Sequence, residues 1–338
     1  MPKFIIFKLK WHYNFISAKI INMIENKLRQ NVILAPLTTF KIGGPAEYFI
    51  EVISRKDLEE AVCWAKDHKK PLTILAGGSN VLINNLGVKG LVIKIYNKNI
   101  KVMGIRLNCE AGALLSKAII TAVANNLTDL EWAAGIPGTI GGAIRGNAGS
   151  YDNTIGKFIE TVEVYNITKN NFFILSRNDC QFEYRGSIFK NNHSLIIWQA
   201  IIKLRISEKD KIKNLISKYT DYRIKTQVQP RLPSAGSIFK NITLEEFKKC
   251  NQNLAFCFEK EKGAVRNGMI GTGWLIDALG IKGKTIGGAK ISLEHGNFIV
   301  NTGKATALDV IALISYIKQQ VRDKLKVQLI EEIQYVGF

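Results

Sequence analysis

Two runs of glycine constrain this chain more than any other feature of its sequence. The longer is Gly135-Ile136-Pro137-Gly138-Thr139-Ile140-Gly141-Gly142-Ala143, continued by Asn147-Ala148-Gly149, with six glycines in fifteen residues. Glycine loses more backbone freedom on ordering than any other residue, so such a run folds at a high entropic cost unless something must approach the backbone closely. Pro137 stiffens the turn, and Ala134, Ala143 and Ala148 keep the side chains small. The shorter run, Ala76-Gly77-Gly78-Ser79-Asn80, follows a short apolar stretch. Successive N–H groups in such a turn can form a nest for an anion, and Ser79 and Asn80 add side-chain donors. Either run alone also suits an ordinary tight turn. Together they describe a chain that wraps a large, rigid, phosphate-bearing ligand. The longer run lacks the strand, G-x-G-x-x-G, helix and downstream acid of a dinucleotide-binding Rossmann unit, which disfavours an enzyme built on a nicotinamide nucleotide alone.

Around these runs, strands and helices alternate. Residues 46–53 read as a strand, and Ser54 with Asp57 as the start of a helix whose Leu58, Ala61, Val62 and Ala65 line one face. Pro71 stops that helix. Residues 72–76 and 91–95 read as strands, 114–126 as a helix, 133–151 as a glycine-dense loop, and 158–165, 172–175 and 195–206 as three more strands. Ser207 with Asp210 opens a helix carrying Ile212, Leu215, Ile216 and Tyr219 on one face. Residues 227–233, with two prolines, read as a linker. Beyond it, Thr243 with Glu246 and Thr306 with Asp309 mark two helix starts, the second helix bearing Val310, Ile314, Ile317 and Val321. Residues 327–336 read as a closing strand. Val327, Leu329, Ile333 and Tyr335 share a face with Glu331, while Glu332 lies opposite with Gln328 and Gln334. The fold class is α+β with mixed sheets and a boundary near residues 207–233.

Composition removes several function classes. The 338 residues are 46% hydrophobic, enough for one large core or two to three small ones. No run of 18 apolar residues occurs, so a soluble protein without a membrane partner is expected. Cys63, Cys109, Cys180, Cys250 and Cys257 form no C-x-x-C pair, and His12, His68, His193 and His295 lie far apart. This argues against a disulfide framework and against a metal site, and fits a reducing cytoplasm. Lys and Arg outnumber Asp and Glu by 47 to 28, a net charge of +19. Compositional bias, attraction of anionic ligands and nucleic-acid binding all accommodate that excess, in that order of preference. Only residues 1–22, with four lysines and no acid, interleave charge with aromatics, so no nucleic-acid partner is expected. Lys8, Lys10 and His12 interrupt any secretory core there. A basic surface helix is one reading of that stretch; translation starting at Met23 is the preferred one.

The segments Thr38-Thr39-Phe40-Lys41-Ile42-Gly43-Gly44-Pro45-Ala46, Gly77-Gly78-Ser79-Asn80 and Gly135-Ile136-Pro137-Gly138 resemble the flavin-binding signatures of the UDP-N-acetylenolpyruvoylglucosamine reductase family. The resemblance covers about residues 31–337 and is to the shorter type, which lacks an extra tyrosine-bearing segment. It implies a two-lobed FAD-binding region of the vanillyl-alcohol-oxidase/PCMH type at 31–206, with lobes near 31–97 and 98–206. A basic extension, 1–30, would precede it. A C-terminal α+β substrate-binding domain, 207–338, would follow, with its last strand packing back on the first lobe. FAD would lie non-covalently between the lobes, against Thr39, Gly77, Gly78, Ser79, Asn80, Gly135, Ile136, Pro137, Gly138, Gly141, Gly142, Asn147 and Gly149. With NADPH as co-substrate, a cytoplasmic monomer would reduce UDP-N-acetylglucosamine enolpyruvate to UDP-N-acetylmuramate for peptidoglycan, hydride passing from NADPH to FAD and then from flavin N5 to the enolpyruvyl methylene carbon.

Adding hydride to an enol ether that bears a carboxylate builds charge on that carboxylate, so the site needs a fixed cation and a proton donor over the adjacent carbon. Phe182-Glu183-Tyr184-Arg185-Gly186-Ser187-Ile188-Phe189-Lys190 resembles the family's arginine motif, which places the cation on Arg185 and a substrate contact on Tyr184. Ser234-Ala235-Gly236-Ser237-Ile238-Phe239-Lys240-Asn241 resembles the segment of the serine proton donor, with Ser237 in that role and Lys240 and Asn241 on the substrate. The family's glutamate maps to Glu332. Without the motifs, Arg185 is a surface or ion-pair residue and Ser237 a turn or N-cap serine. The stretch Gln227-Val228-Gln229-Pro230 departs from the family's Gln-Pro pairing by two residues. A related oxidase with covalent flavin would need a histidine or cysteine in the glycine loops, and residues 133–151 hold neither.

Overall fold

Ser54 caps the helix Arg55–Asp67 as its spacing predicts. Its hydroxyl accepts the Asp57 N–H at 3.1 Å, and Asp57 accepts the Ser54 N–H at 3.1 Å. The structure is a computed structural model that describes residues 24–226, 232–261 and 264–338. The basic stretch up to Met23 and most of the expected linker lie outside the described residues. Leu58, Ala61, Val62 and Ala65 are fully buried against a four-stranded sheet ordered Arg29–Ile33, Pro45–Val52, Val88–Ile95 and Leu72–Leu75. Three of its strands run parallel, and Arg29–Ile33 joins antiparallel.

A second lobe is a five-stranded antiparallel sheet, ordered Asn171–Ser176, Ile159–Asn166, Leu195–Lys203, Arg106–Glu110 and Ile100–Met103. One continuous apolar core joins the lobes and takes in Val62, Leu107, Trp132, Tyr165 and Trp198. Arg55 reaches across to Glu163, with Nη2 at 2.6 and 2.8 Å from the two carboxylate oxygens. The glycine-dense segment is not all loop, for it contains the short helix Ile140–Gly146, capped by Thr139 and ended by Asn147 at φ 42°. Ile140, Ala143 and Ile144 bury one side of that helix, and this outweighs the weak helix preference of its glycines.

The helix Lys209–Thr226 starts close to where Ser207 and Asp210 place it, but its buried face is narrower. Ile212 is buried and Ile216 and Tyr219 pack on the core, whereas Leu215 is 39% exposed. The helix lies on the second lobe, where Arg223 Nε donates to Ala134 O at 3.0 Å and Tyr151 Oη to Tyr219 O at 3.1 Å. By these contacts the helix is packed on the second lobe.

The C-terminal part holds an antiparallel sheet ordered Ser234–Ser237, Phe298–Asn301, Ala289–Ile291 and Thr285–Ile286, with the helix Ala307–Leu325 against it. Val310, Ile314, Ile317 and Val321 are buried there, and Phe40, Ile42 and Leu82 of the first lobe extend the same core. Residues 327–336 differ from a single strand. Glu331 forms one bridge with Phe239, the chain bends at Ile333, and only Gln334–Val336 is a strand, parallel to Val81–Ile83. Two partners in two directions require that bend. Val327, Leu329 and Ile333 keep the predicted burial, while Tyr335 is 39% exposed and donates to Glu331 Oε2 at 2.6 Å. Among the described residues, no helix is long and apolar enough to cross a membrane.

Asp309 ties the last helix to the sheet. Its Oδ2 accepts the Thr306 N–H at 2.9 Å and the Gly288 N–H at 3.2 Å. The Thr306 N–H holds its carboxyl below the usual carboxylate range. Asp309→Ala is expected to cost about 1–2 kcal/mol at pH 7, read as a lower urea midpoint at unchanged slope. Because the folded pKa is depressed, that difference should be complete above about pH 4 and shrink as pH falls through the folded value.

Candidate active site

The two glycine runs meet backbone to backbone. A Cβ on Gly77 would lie 2.8 Å from Gly138 Cα, and one on Gly138, at φ 120°, would lie 2.8 Å from Ser79 Oγ. Gly78, at φ 64°, would drive a Cβ to 2.3 Å from Leu37 O. Thr39 fastens this junction. Its N–H donates to Gly78 O at 3.0 Å and its hydroxyl to Ser234 O at 2.7 Å, linking loop to C-terminal sheet. The backbone N–H groups of Gly77, Gly78, Ser79, Asn80 and Gly138 find no acceptor among the described residues. A row of unused donors at a glycine turn fits an anionic group such as a diphosphate. A Cβ on Gly142 would touch only Ala76 Cβ and Thr139 Oγ1, at 3.4 and 3.6 Å, so the packing around it does not demand glycine. Elsewhere in the longer run, Gly135 faces Arg223, Gly141 packs on Ala111, Ile136 is half-buried and Pro137 is exposed.

The residues expected to react arrive on three separate segments. Glu183 and Gly186 exchange backbone hydrogen bonds of 3.1 and 3.2 Å around a two-residue turn, and Arg185 occupies it at φ 54°. A non-glycine residue there costs on the order of 1 kcal/mol. Lys190 Nζ donates to Arg185 O at 2.6 Å, and Asn147 Nδ2 to Glu183 O at 2.7 Å, which fixes the turn. The turn lies against the glycine run, since a Cβ on Gly149 would come 3.1 Å from Arg185 Nη1. Arg185 Nε is 3.0 Å from Glu332 Oε1. It is buried, yet its N–H is not aimed well enough for a hydrogen bond. The ion pair therefore leaves the guanidinium with donors to offer.

Glu332 is held by its backbone. Its N–H donates to Ile238 O at 2.8 Å, and its carbonyl accepts Asn80 Nδ2 at 3.2 Å and Gln334 Nε2 at 3.1 Å. Neighbouring Glu331 turns the other way, to Lys318 at 2.7 Å. Ser237, half-buried, immediately precedes Ile238 and follows Gly236, whose φ of 76° faces open space. Tyr184 Oη accepts the Asn241 N–H at 3.2 Å, and Lys240 N donates to Ile330 O at 2.8 Å. Arg185, Glu332 and the segment Ser237–Asn241 thus share one region, bordered by Asn80 and Gly149. Burial pushes the Tyr184 phenol up, opposed by the Arg185 charge.

Sequence reasoning missed two cations in this region. Lys190, the last residue of the arginine motif, is pushed below its ordinary value by burial, with Glu332 opposing and Lys240, Arg145 and Arg185 adding to the fall. Arg145, likewise lowered by burial, donates through Nη1 to Gln334 Oε1 at 3.4 Å. One signal was available: Arg145 is the sole charged residue in 133–151. Among the described residues no cluster of three His, Cys, Asp or Glu could hold a metal. Two surface hollows, of about 510 and 400 Å³, lie away from the site, one beside Lys218 and one beside Lys318.

Comparison with known proteins was made against this geometry. The family model described as UDP-N-acetylenolpyruvoylglucosamine reductase, C-terminal domain, matches residues 229–336, and that of an FAD binding domain matches 46–169. A UDP-N-acetylenolpyruvoylglucosamine reductase of Caldanaerobacter subterraneus is 37% identical over 314 residues, 93% of this chain and 95% of its own. One of Clostridium botulinum is 34% identical over 302 residues, 89% of each chain. The crystal structure of the Thermus caldophilus enzyme of that name superposes with a TM-score of 0.73 at 29% identity, covering 91% of this chain and 99% of its own.

The loop junction yields a paired test. Gly77→Ala should lower the stability of the ligand-free protein by about 1–3 kcal/mol, because only backbone atoms oppose the new methyl. Gly142→Ala should leave it unchanged or raise it by up to about 1 kcal/mol through helix preference. Urea unfolding of both variants reads the difference.

Proposed function

The chain belongs to the UDP-N-acetylenolpyruvoylglucosamine reductase family, and on that premise we propose that it reduces UDP-N-acetylglucosamine enolpyruvate to UDP-N-acetylmuramate, with NADPH as reductant and FAD as non-covalent cofactor. FAD, when bound, supplies the redox chemistry that connects NADPH to the enol ether. The row of N–H donors from Gly77 to Asn80 and at Gly138 supports binding of its pyrophosphate, with Thr39 bracing the loop. No histidine or cysteine lies in the longer run to tether a flavin. The reading includes a cytoplasmic monomer acting on small ligands.

The Arg185–Glu332 pair beside the Ser237 segment carries the proposal. Reduction adds a hydride equivalent to the methylene carbon and a proton to its neighbour, with negative charge passing onto the carboxylate between the two. A guanidinium stays charged throughout and can grip a carboxylate with two parallel bonds, which an ammonium cannot. Arg185 is suited to this because its turn fixes its base and its Nε–H is unused. Glu332, clamped through its own N–H and C=O, orients that guanidinium, and the pair stabilises the enediolate. Ser237 delivers the proton at the carbon bearing the ether oxygen. A serine hydroxyl is a weak acid, and the neighbouring cations stabilise the alkoxide it leaves. Tyr184, Lys240 and Asn241 contact the sugar nucleotide.

Stopped-flow measurement of the two half-reactions tests these roles. Ser237→Ala should leave flavin reduction by NADPH nearly normal and slow reoxidation by the enolpyruvyl substrate by about 100-fold or more; equal slowing of both halves would remove Ser237 as proton donor. Arg185→Lys should lose about 10- to 100-fold in turnover, because charge is kept and the fork is lost. Near-normal turnover would exclude Arg185.

A further inference from the structure

Arg145 stands at the last turn of the helix Ile140–Gly146, directly beneath the Arg185 turn. Its carbonyl accepts the Ser187 hydroxyl at 2.7 Å, so its backbone is tied to the arginine motif. Its guanidinium has five donors. One is used, toward the neutral amide of Gln334 at 3.4 Å, and no ion pair to Arg145 forms among the described residues. The orientation of that amide follows from its other end, since Gln334 Nε2 donates to Glu332 O at 3.1 Å and leaves Oε1 for Arg145. Gln334 therefore sets the guanidinium in a fixed relation to Glu332.

The surrounding charge is unbalanced. Arg145, Arg185 and Lys240 gather around Lys190, and the Glu332 carboxylate among them already lies against Arg185. A half-buried cation without a counter-ion is unfavourable unless a ligand brings the missing negative charge. Through Gln334 and Ser187, Arg145 adjoins Glu332 and the Arg185 turn, the residues assigned above to the reacting end of the substrate.

We propose that Arg145 is a second carboxylate-recognition residue: docked on Gln334, its guanidinium binds the enolpyruvyl carboxylate alongside Arg185, and so favours ligands that carry this group over the same sugar nucleotide without it. The inference rests on the reading of the site as an enolpyruvyl reductase. It adds a source of selectivity that works before any chemistry occurs.

The test titrates the oxidised, flavin-loaded enzyme with two ligands, UDP-N-acetylglucosamine enolpyruvate and UDP-N-acetylglucosamine, following flavin absorbance or heat. For Arg145→Gln, the Kd of the enolpyruvyl ligand should rise about 10- to 100-fold, as loss of a charge-assisted contact predicts. The Kd of UDP-N-acetylglucosamine should stay within about twofold. Arg145→Lys, which keeps the charge, should fall between wild type and Arg145→Gln for the first ligand only. Equal weakening of both ligands would reassign Arg145 to the shared nucleotide part and overturn the proposal, as would no change in either. Loss of flavin or of folding in both variants would make Arg145 structural and overturn it too. A wild-type enzyme that fails to turn over the enolpyruvyl ligand would instead sink the functional reading. Normal wild-type turnover with unaffected variants would sink this inference alone.

Discussion

The site depends on a short stretch of backbone that pairs in two directions at once. Glu331 bridges to Phe239 in the C-terminal part, and three residues later Gln334–Val336 runs beside Val81–Ile83 of the first lobe. Between them Glu332 is pinned through its own N–H and C=O, to Ile238 and to the Asn80 and Gln334 side chains. The same stretch therefore joins two parts of the molecule and fixes the carboxylate against Arg185. Stability and geometry share one set of hydrogen bonds.

The glycine runs do a complementary task. Gly77 and Gly138 remove side chains where two loops from different lobes touch, and the contact leaves a row of N–H groups without acceptors among the described residues. Part of the need for glycine is internal packing, as at Gly78 against Leu37 O. Part of it is not, as at Gly142, where the protein itself would admit a methyl. That contrast separates glycines that the fold requires from one that it does not. Ion pairs such as Arg106–Glu160 and Arg205–Asp129 match one cation with one anion, so they leave the surplus of +19 untouched and contribute little each. The few cations drawn inward matter more.

Features set by local chemistry were legible in the sequence. The capping boxes at Ser54/Asp57, Thr243/Glu246 and Thr306/Asp309 depend on spacing alone, and all three form. The opposite facing of Glu331 and Glu332 follows from strand geometry and survives although the strand does not. What was not legible depends on distant partners. The bend at Ile333 arises because residues 331 and 334 pair with different parts of the chain. Leu215 is exposed because the helix Lys209–Thr226 rests on the lobe with a narrower face than its apolar pattern suggests. Arg145 escaped notice because its partner Gln334 is 189 residues away, and its being the sole charge in 133–151 does not by itself announce an anion site.

Arg185 occupies its turn at φ 54°, where a residue without a side chain would sit at lower energy. A redesign guided only by thermal robustness would therefore choose glycine at this position and gain in melting temperature while discarding the guanidinium. Scoring schemes that equate ruggedness with fitness would rank the molecule without its guanidinium first. On the proposed reading, the tension held in that one dihedral angle is what it costs to set a positive charge where the chain would fold more easily without a side chain.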